Sequence, residues 1–287
     1  MRRSAIIATV LLAATPSLAA ADGPDQYEIS VRYETRSEGN GSSGSSSGSN
    51  LYSEVAYPTQ GACRTRRFDG IDDPERKRPL ADWQLPVEVR ECDDQPPVIV
   101  NQKEMLARLD AFLAAAKVSR EACGKHYFTW NVFKIECDPE TVLDTVAGIN
   151  LGGIPLHDGA DYEVPRTGIR VTLALVETTP DGRHTFTSSG AIDPAFLRQE
   201  AANTIMVVTE IMCEAVTREQ AIAQMEDYQF SGEAKIVLVD DPATGTITQT
   251  VTSDVREVNA IGEVETRWTE TVVTRQRAGT AHGPDPS

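Results

Sequence analysis

The stretches AKIVLVD (Ala234–Asp240), TITQTVTSDVREV (Thr246–Val258) and EVETRWTETVVT (Glu263–Thr274) alternate β-branched or apolar residues with polar ones. This is the period-2 pattern of strands with one buried face. The connectors Asp241-Pro242-Ala243-Thr244-Gly245 and Asn259-Ala260-Ile261-Gly262 each hold a glycine suited to a left-handed turn position. The three strands read as an antiparallel meander. Upstream, Asp193-Pro194 places a capping acid before a proline at a first helical position. The helix it opens is apolar at Phe196, Leu197, Ala201, Ile205, Val208, Ile211, Met212 and Ala215, and again at Ala202, Val207 and Val216. So wide an apolar surface predicts a long helix buried on several sides.

Working outward, Ile169, Val171, Leu173 and Leu175 share a strand face, and Pro180-Asp181-Gly182 turns the chain into HTFTSSG (His184–Gly190). Asn101 followed by Glu104 resembles a capping box ahead of an amphipathic helix through Met105, Leu109 and Leu113. Asp138-Pro139 opens another helix, and Thr217 with Gln220 caps a short one. Tyr27, Ile29, Val31 and Tyr33 alternate as a strand. The tract EGNGSSGSSSGSN (Glu38–Asn50) that follows reads as a long flexible loop before LYSEVAY (Leu51–Tyr57). The expected fold is α+β: an antiparallel sheet of hairpins and the C-terminal three-strand meander, packed against helices, one of them long and buried. A Gly/Pro-rich seam at 148–165 divides residues 22–276 into two possible subdomains, and 277–287 reads as a disordered tail from about Arg275.

Residues 1–21 have the three parts of a cleavable signal peptide: Arg2 and Arg3, an apolar run Ala5–Ala14, and small residues at Ala19, Ala20 and Ala21. The run is about half of the roughly 20 residues that a spanning helix needs. Loss of the two arginines shifts the formal charge from -16 to -18, a balance that repels nucleic acid and anionic lipid. The expected product is a soluble, secreted, periplasmic protein without membrane insertion. Arg64, Arg66 and Arg67, ahead of IDDPERKR, read as a solvated charged loop.

In an oxidising compartment Cys63, Cys92, Cys123, Cys137 and Cys213 allow about fifteen two-bridge arrangements. Cys213 sits in an apolar stretch and is the choice for the unpaired, buried thiol. A Cys63–Cys92 bridge would contribute roughly 3.5 kcal/mol in the chain-entropy model. A Cys123–Cys137 bridge requires the intervening segment to turn back near Asn131, because a straight strand would hold the two roughly 45 Å apart. The tentative set is therefore Cys63, Cys92, Cys123 and Cys137.

Chemical motifs are sparse. Gly44-Ser45-Ser46-Ser47-Gly48 matches G-x-S-x-G only inside a Gly/Ser tract, without the strand-turn-helix context a nucleophile elbow needs. No C-x-x-C, zinc spacing, dinucleotide fingerprint or phosphate loop occurs, so no cofactor and no metal is expected. His157-Asp158 with Asp161 lies in the seam, where an acid/base pair would suit a cleft. His126 opens the aromatic run HYFTW, a core strand or a stacking surface for a planar ligand.

At Cys123–Leu143 (CGKHYFTWNVFKIECDPETVL), with DWQLP at Asp82–Pro86, the chain is similar to uncharacterised exported proteins of alphaproteobacteria. The resemblance implies a periplasmic address and no catalytic residue. The function expected on these grounds is a non-catalytic envelope protein that binds an envelope partner or a small apolar ligand. The alternative is a periplasmic hydrolase using residues 157–161.

Overall fold

The structure is a computed structural model that describes residues 24–39, 41–71, 82–93, 95–129, 132–164, 167–214 and 216–279. The signal-like segment, Asp72-Asp73, Trp130, Asn131 and His282 lie outside the described residues.

Two long hairpins build the centre of the molecule. β1 (Asp25–Gly39) pairs with β2 (Ser42–Ala56) without a break from Asp25 opposite Ala56 to Gly39 opposite Ser42. β3 (Cys63–Gly70), β4 (Val87–Cys92) and the two-residue β5 (Val98–Ile99) extend the sheet on that side. Helix α1 (Gln102–Ala116) follows, then the small hairpin β6 (His126–Phe128) and β7 (Val132–Lys134), and helix α2 (Val142–Ile149). A second small hairpin is β8 (Asp161–Val164) with β9 (Ile169–Thr172). β10 (Ala174–Thr178) and β11 (His184–Ala191) precede helices α3 (Pro194–Ile211) and α4 (Arg218–Gln224). The meander β12 (Gln229–Asp241), β13 (Thr246–Val258) and β14 (Val264–Arg277) closes the chain. The ten-stranded antiparallel sheet runs β10-β11-β12-β13-β14-β1-β2-β3-β4-β5.

One row shows how the core is built. Val31, Val273, Gln249, Leu238 and Phe186 stand opposite one another across β1, β14, β13, β12 and β11. Val273, Gln249, Leu238 and Phe186 are buried. Over this face, α1 and α2 cover β1, β3 and β4 through Met105, Leu109, Leu113, Val142 and Val146. On the meander side the β8–β9 hairpin and the start of α3 cover β11 and β12 through Val164, Ile169, Val171 and Leu197. Ile154 packs against both clusters. The opposite face of β12, β13, β14 and β1 carries Arg32, Glu34, Arg36, Trp268, Glu270, Thr252, Asp254, Glu233 and Lys235, none of them buried. One face covered and one face in water is the usual arrangement of an antiparallel sheet.

Four expectations are corrected. The α+β reading with one long buried helix gives way to a fold dominated by a ten-stranded antiparallel sheet. In α3 only Leu197 and Ala202 are buried, because the sheet beneath reaches just its first half. From Ser42 onward the Gly/Ser tract is strand and not loop: β1 offers it a complete backbone ladder, and Tyr33 lies over Gly48, where a Cβ would come within 2.5 Å of the tyrosine oxygen. The arginine cluster is also strand. Arg66 and Phe68 share the core face of β3, and Arg66 is 6% exposed. Arg275, assigned to a tail, is buried in β14.

Asn101 makes no cap bond with its side chain. Instead its amide oxygen accepts from the Glu88 backbone N–H (2.8 Å) and its nitrogen donates to the Pro86 carbonyl (3.0 Å), tying α1 to β4.

Candidate functional site

The residues of the expected hydrolytic site do not converge. His157 Nδ1 meets the Asp158 carbonyl oxygen at 3.0 Å, while the Asp158 carboxylate accepts from the Leu175 N–H (2.9 Å) and steadies edge strand β10. Asp161 accepts from Thr172 Oγ1 (3.3 Å) within the β8–β9 hairpin. All three are exposed turn or strand-end residues, and the site at 157–161 is set aside. The tract holding Gly44 to Gly48 lies within β2, so the formal nucleophile motif has no elbow. Among the described residues no group of three or more His, Cys, Asp and Glu side chains is placed to hold a metal.

The structure joins Cys63 to Cys92 and Cys123 to Cys137. Cys63 and Cys92 face each other across β3 and β4, and Cys123–Cys137 closes the base of the β6–β7 hairpin. Cys213 is free but exposed, correcting the buried placement; it follows the end of α3 with φ of 59°.

Near residues 150–153 lies a buried ionic network. Glu54, fully buried, accepts from Arg275 Nε (2.6 Å) and Nη2 (3.0 Å) and lies 3.4 Å from Arg66 Nε. Arg66 donates further to Glu91 (2.8 Å), to the Asn150 side chain (2.7 Å) and to the Gly152 carbonyl (2.8 Å). The Arg275 guanidinium lies 3.3 Å from the centre of the Tyr27 ring. Burial works against the Arg275 charge, but the hydrogen bonds and charge of Glu54 outweigh it and raise its pKa. Its charges are met by its own partners, so this network is structural.

Among the described residues, two surface depressions lined by charged side chains bear on function. The larger, about 620 Å³, lies between α3 and the β6–β7 hairpin and is lined by His126, Lys134, Met206, Val207, Glu210 and Cys213 among others. Its walls are joined by Glu210, which accepts from the His126 backbone N–H (3.1 Å) and sits 2.7 Å from His126 Nδ1. The His126 side-chain bond, followed by the backbone bond, holds the Glu210 carboxyl below the usual carboxylate range.

The second, about 500 Å³, lies at the hairpin end of the central strands. Arg36, Trp268, Asp254 and Glu233 stand opposite one another across β1, β14, β13 and β12, and all four line it. The adjacent row, Glu38, Thr266, Arg256 and Ser231, lines it too. All eight have the parity of the uncovered face. At strand spacings near 4.8 Å the row from Arg36 to Glu233 spans about 14 Å. The Arg36 guanidinium lies 5.0 Å from the Trp268 ring centre, a cation–π contact that helps fix the indole. Gly232, whose backbone lines it, has the parity of the covered face, where a Cβ would meet Ile192 Cδ1 at 3.0 Å and the Asp254 carbonyl at 3.1 Å. Reading the stretch around Trp268 as a meander strand already placed its ring on one face; the row around it depends on three pairings that no local pattern reveals.

No family model matches the chain, and no curated protein matches it. Among solved structures it is similar to the neisserial surface protein A, with a TM-score of 0.21 and 6% identity over 89% of this chain and 99% of that one. Two others are Ail, the attachment invasion locus protein of Yersinia pestis (TM-score 0.12, 5% identity, 88% and 98% covered), and a mutant Rh. blastica porin (0.16, 8%, 88% and 99%). These are outer-membrane β-barrel proteins. Against them, the readings of a soluble periplasmic chain, an envelope binder of a small apolar ligand, a periplasmic hydrolase and a protein without membrane insertion are withdrawn. TM-scores this low do not establish a shared fold, so the likeness puts no barrel and no membrane in their place. No helix among the described residues is long and apolar enough to cross a membrane, which says nothing of strands.

Proposed function

We propose that this chain is a glycan-binding protein that holds a neutral oligosaccharide against the uncovered sheet face around Trp268. The observation that supports it is the single row Arg36–Trp268–Asp254–Glu233, with an aromatic ring flanked by a guanidinium and two carboxylates on rigid paired strands. A pyranose offers an apolar C–H face and a rim of hydroxyls. The first stacks on an indole, while the second donates to carboxylates and accepts from guanidinium groups. Arg36 and Arg256 offset much of the charge of Glu38, Asp254 and Glu233, which favours a neutral sugar over an anionic one. The depression is open, whereas electrostatic catalysis draws its strength from water-excluded sites, so binding and not bond cleavage is the role this face supports.

The test is a tryptophan-fluorescence titration of the full chain with cellohexaose, chitohexaose, mannohexaose and polygalacturonate. At least one neutral hexaose should shift the emission and saturate, and Trp268→Ala should weaken its binding by roughly tenfold or more, measured by calorimetry, which is about 1.4 kcal/mol. No shift with any of the four, or undiminished binding by Trp268→Ala, would refute the reading.

A further inference from the structure

The second half of α3 is apolar and only partly covered. Val208 is 47% exposed and Met212, one turn on, is 62% exposed. Beside this helix, the hairpin closed by Cys123–Cys137 presents Phe128 at 61% exposure. Phe128 has the same strand parity as His126, whose ring and backbone both bind Glu210 on α3. Exposed apolar side chains on a disulfide-closed hairpin and on the helix that the Glu210 hydrogen bonds join to it are costly to leave in water, and such patches mark contact surfaces.

The geometry points to a second copy of this chain as the occupant of this face, in a two-fold dimer that packs the hairpin of each copy against the α3 of the other. A two-fold interface uses the same patch twice, so the patch must complement itself. This one does: Met206, Val207 and Val216 form its apolar lining, Lys134, half-exposed and paired on one side with Glu136 (2.8 Å), stands on the hairpin side, and Glu210 and Glu214 stand on the helix side. Glu214 has no ionic partner among the described residues. A rotation that exchanges the two sides sets each Lys134 against the acids of the other copy's helix. A partner of one dominant charge would match only one side.

Sedimentation velocity of the full chain from 1 to 100 µM tests this, beside Met212→Glu and Phe128→Ser. Both substituted side chains are exposed, so circular dichroism and thermal melting should match the unsubstituted chain. The expected result is a concentration-dependent dimer whose dissociation constant rises at least tenfold in each variant. Oxidation by copper-phenanthroline should then trap a disulfide dimer that Cys213→Ser lacks. A chain still monomeric at 100 µM overturns the proposal, as does a dimer indifferent to both variants. So would a monomer that floats with phosphatidylcholine vesicles and loses that binding in Met212→Glu, which would make the face a lipid contact.

Discussion

At the scale of single residues, charge burial decides most. Glu54 lies between two arginines with no access to water, and removing one member of a buried pair leaves the others uncompensated. Glu54→Gln should therefore cost about 3–5 kcal/mol, read as a shift of the urea midpoint. Glu257 is the opposite case. Burial raises its pKa above the usual 4.5, and Glu265, its cross-strand neighbour, raises it further. A carboxyl with a raised folded pKa favours the fold when protonated, an advantage complete below pH 4.5 and lost as pH rises through the folded value. Glu257→Gln should raise the melting temperature at pH 7 and give no gain near pH 3; equal gains at both would contradict this cause. Neither acid could be read from its neighbours in sequence. Arg275, the partner of Glu54, lies 221 positions away, and in RTRRF the charges alone describe a solvated loop.

At the scale of elements, capping chemistry was legible except at Asn101, and coverage was not. Asp138, Asp193 and Thr217 accept the backbone bonds their positions announce, since a cap is decided within three residues. Periodicity also found β12 to β14. It found the Leu51–Ala56 end of β2 but failed from Ser42 to Asn50, where small polar residues carry no pattern and the strand exists because β1 pairs with it. The dipeptide Asn40-Gly41 was the available signal, because it is the strongest short hairpin marker. α3 failed differently: its sequence gives an apolar surface, but only the sheet beneath decides which turns are covered. Leu197→Asp should thus unfold the chain, whereas Ile211→Asp, partly exposed, should cost under about 1 kcal/mol by thermal melting. The disulfides divide in the same way. Cys63→Ser with Cys92→Ser opens a separation of 29 residues and should cost about 3.6 kcal/mol of global stability. Cys123→Ser with Cys137→Ser should speed hydrogen exchange mainly in β6, β7 and the end of α3.

At the scale of the whole molecule, two core clusters share one sheet, with Ile154 packed against both. We propose that the seam at 148–165 is a joint and not a boundary between separately folding units, so calorimetry should record one unfolding transition, and two resolved transitions would overturn this. Concentrating both clusters on one face leaves the other to function, and that face held the least sequence signal, since Arg36, Trp268, Asp254 and Glu233 meet only through strand register. The most direct test of the account is backbone amide chemical-shift mapping during titration with the neutral hexaose selected by fluorescence. The account predicts that the largest perturbations fall at Arg36, Trp268, Asp254, Glu233 and their neighbours on the four central strands; perturbations centred on the α3 groove, or none at saturating sugar, would contradict it.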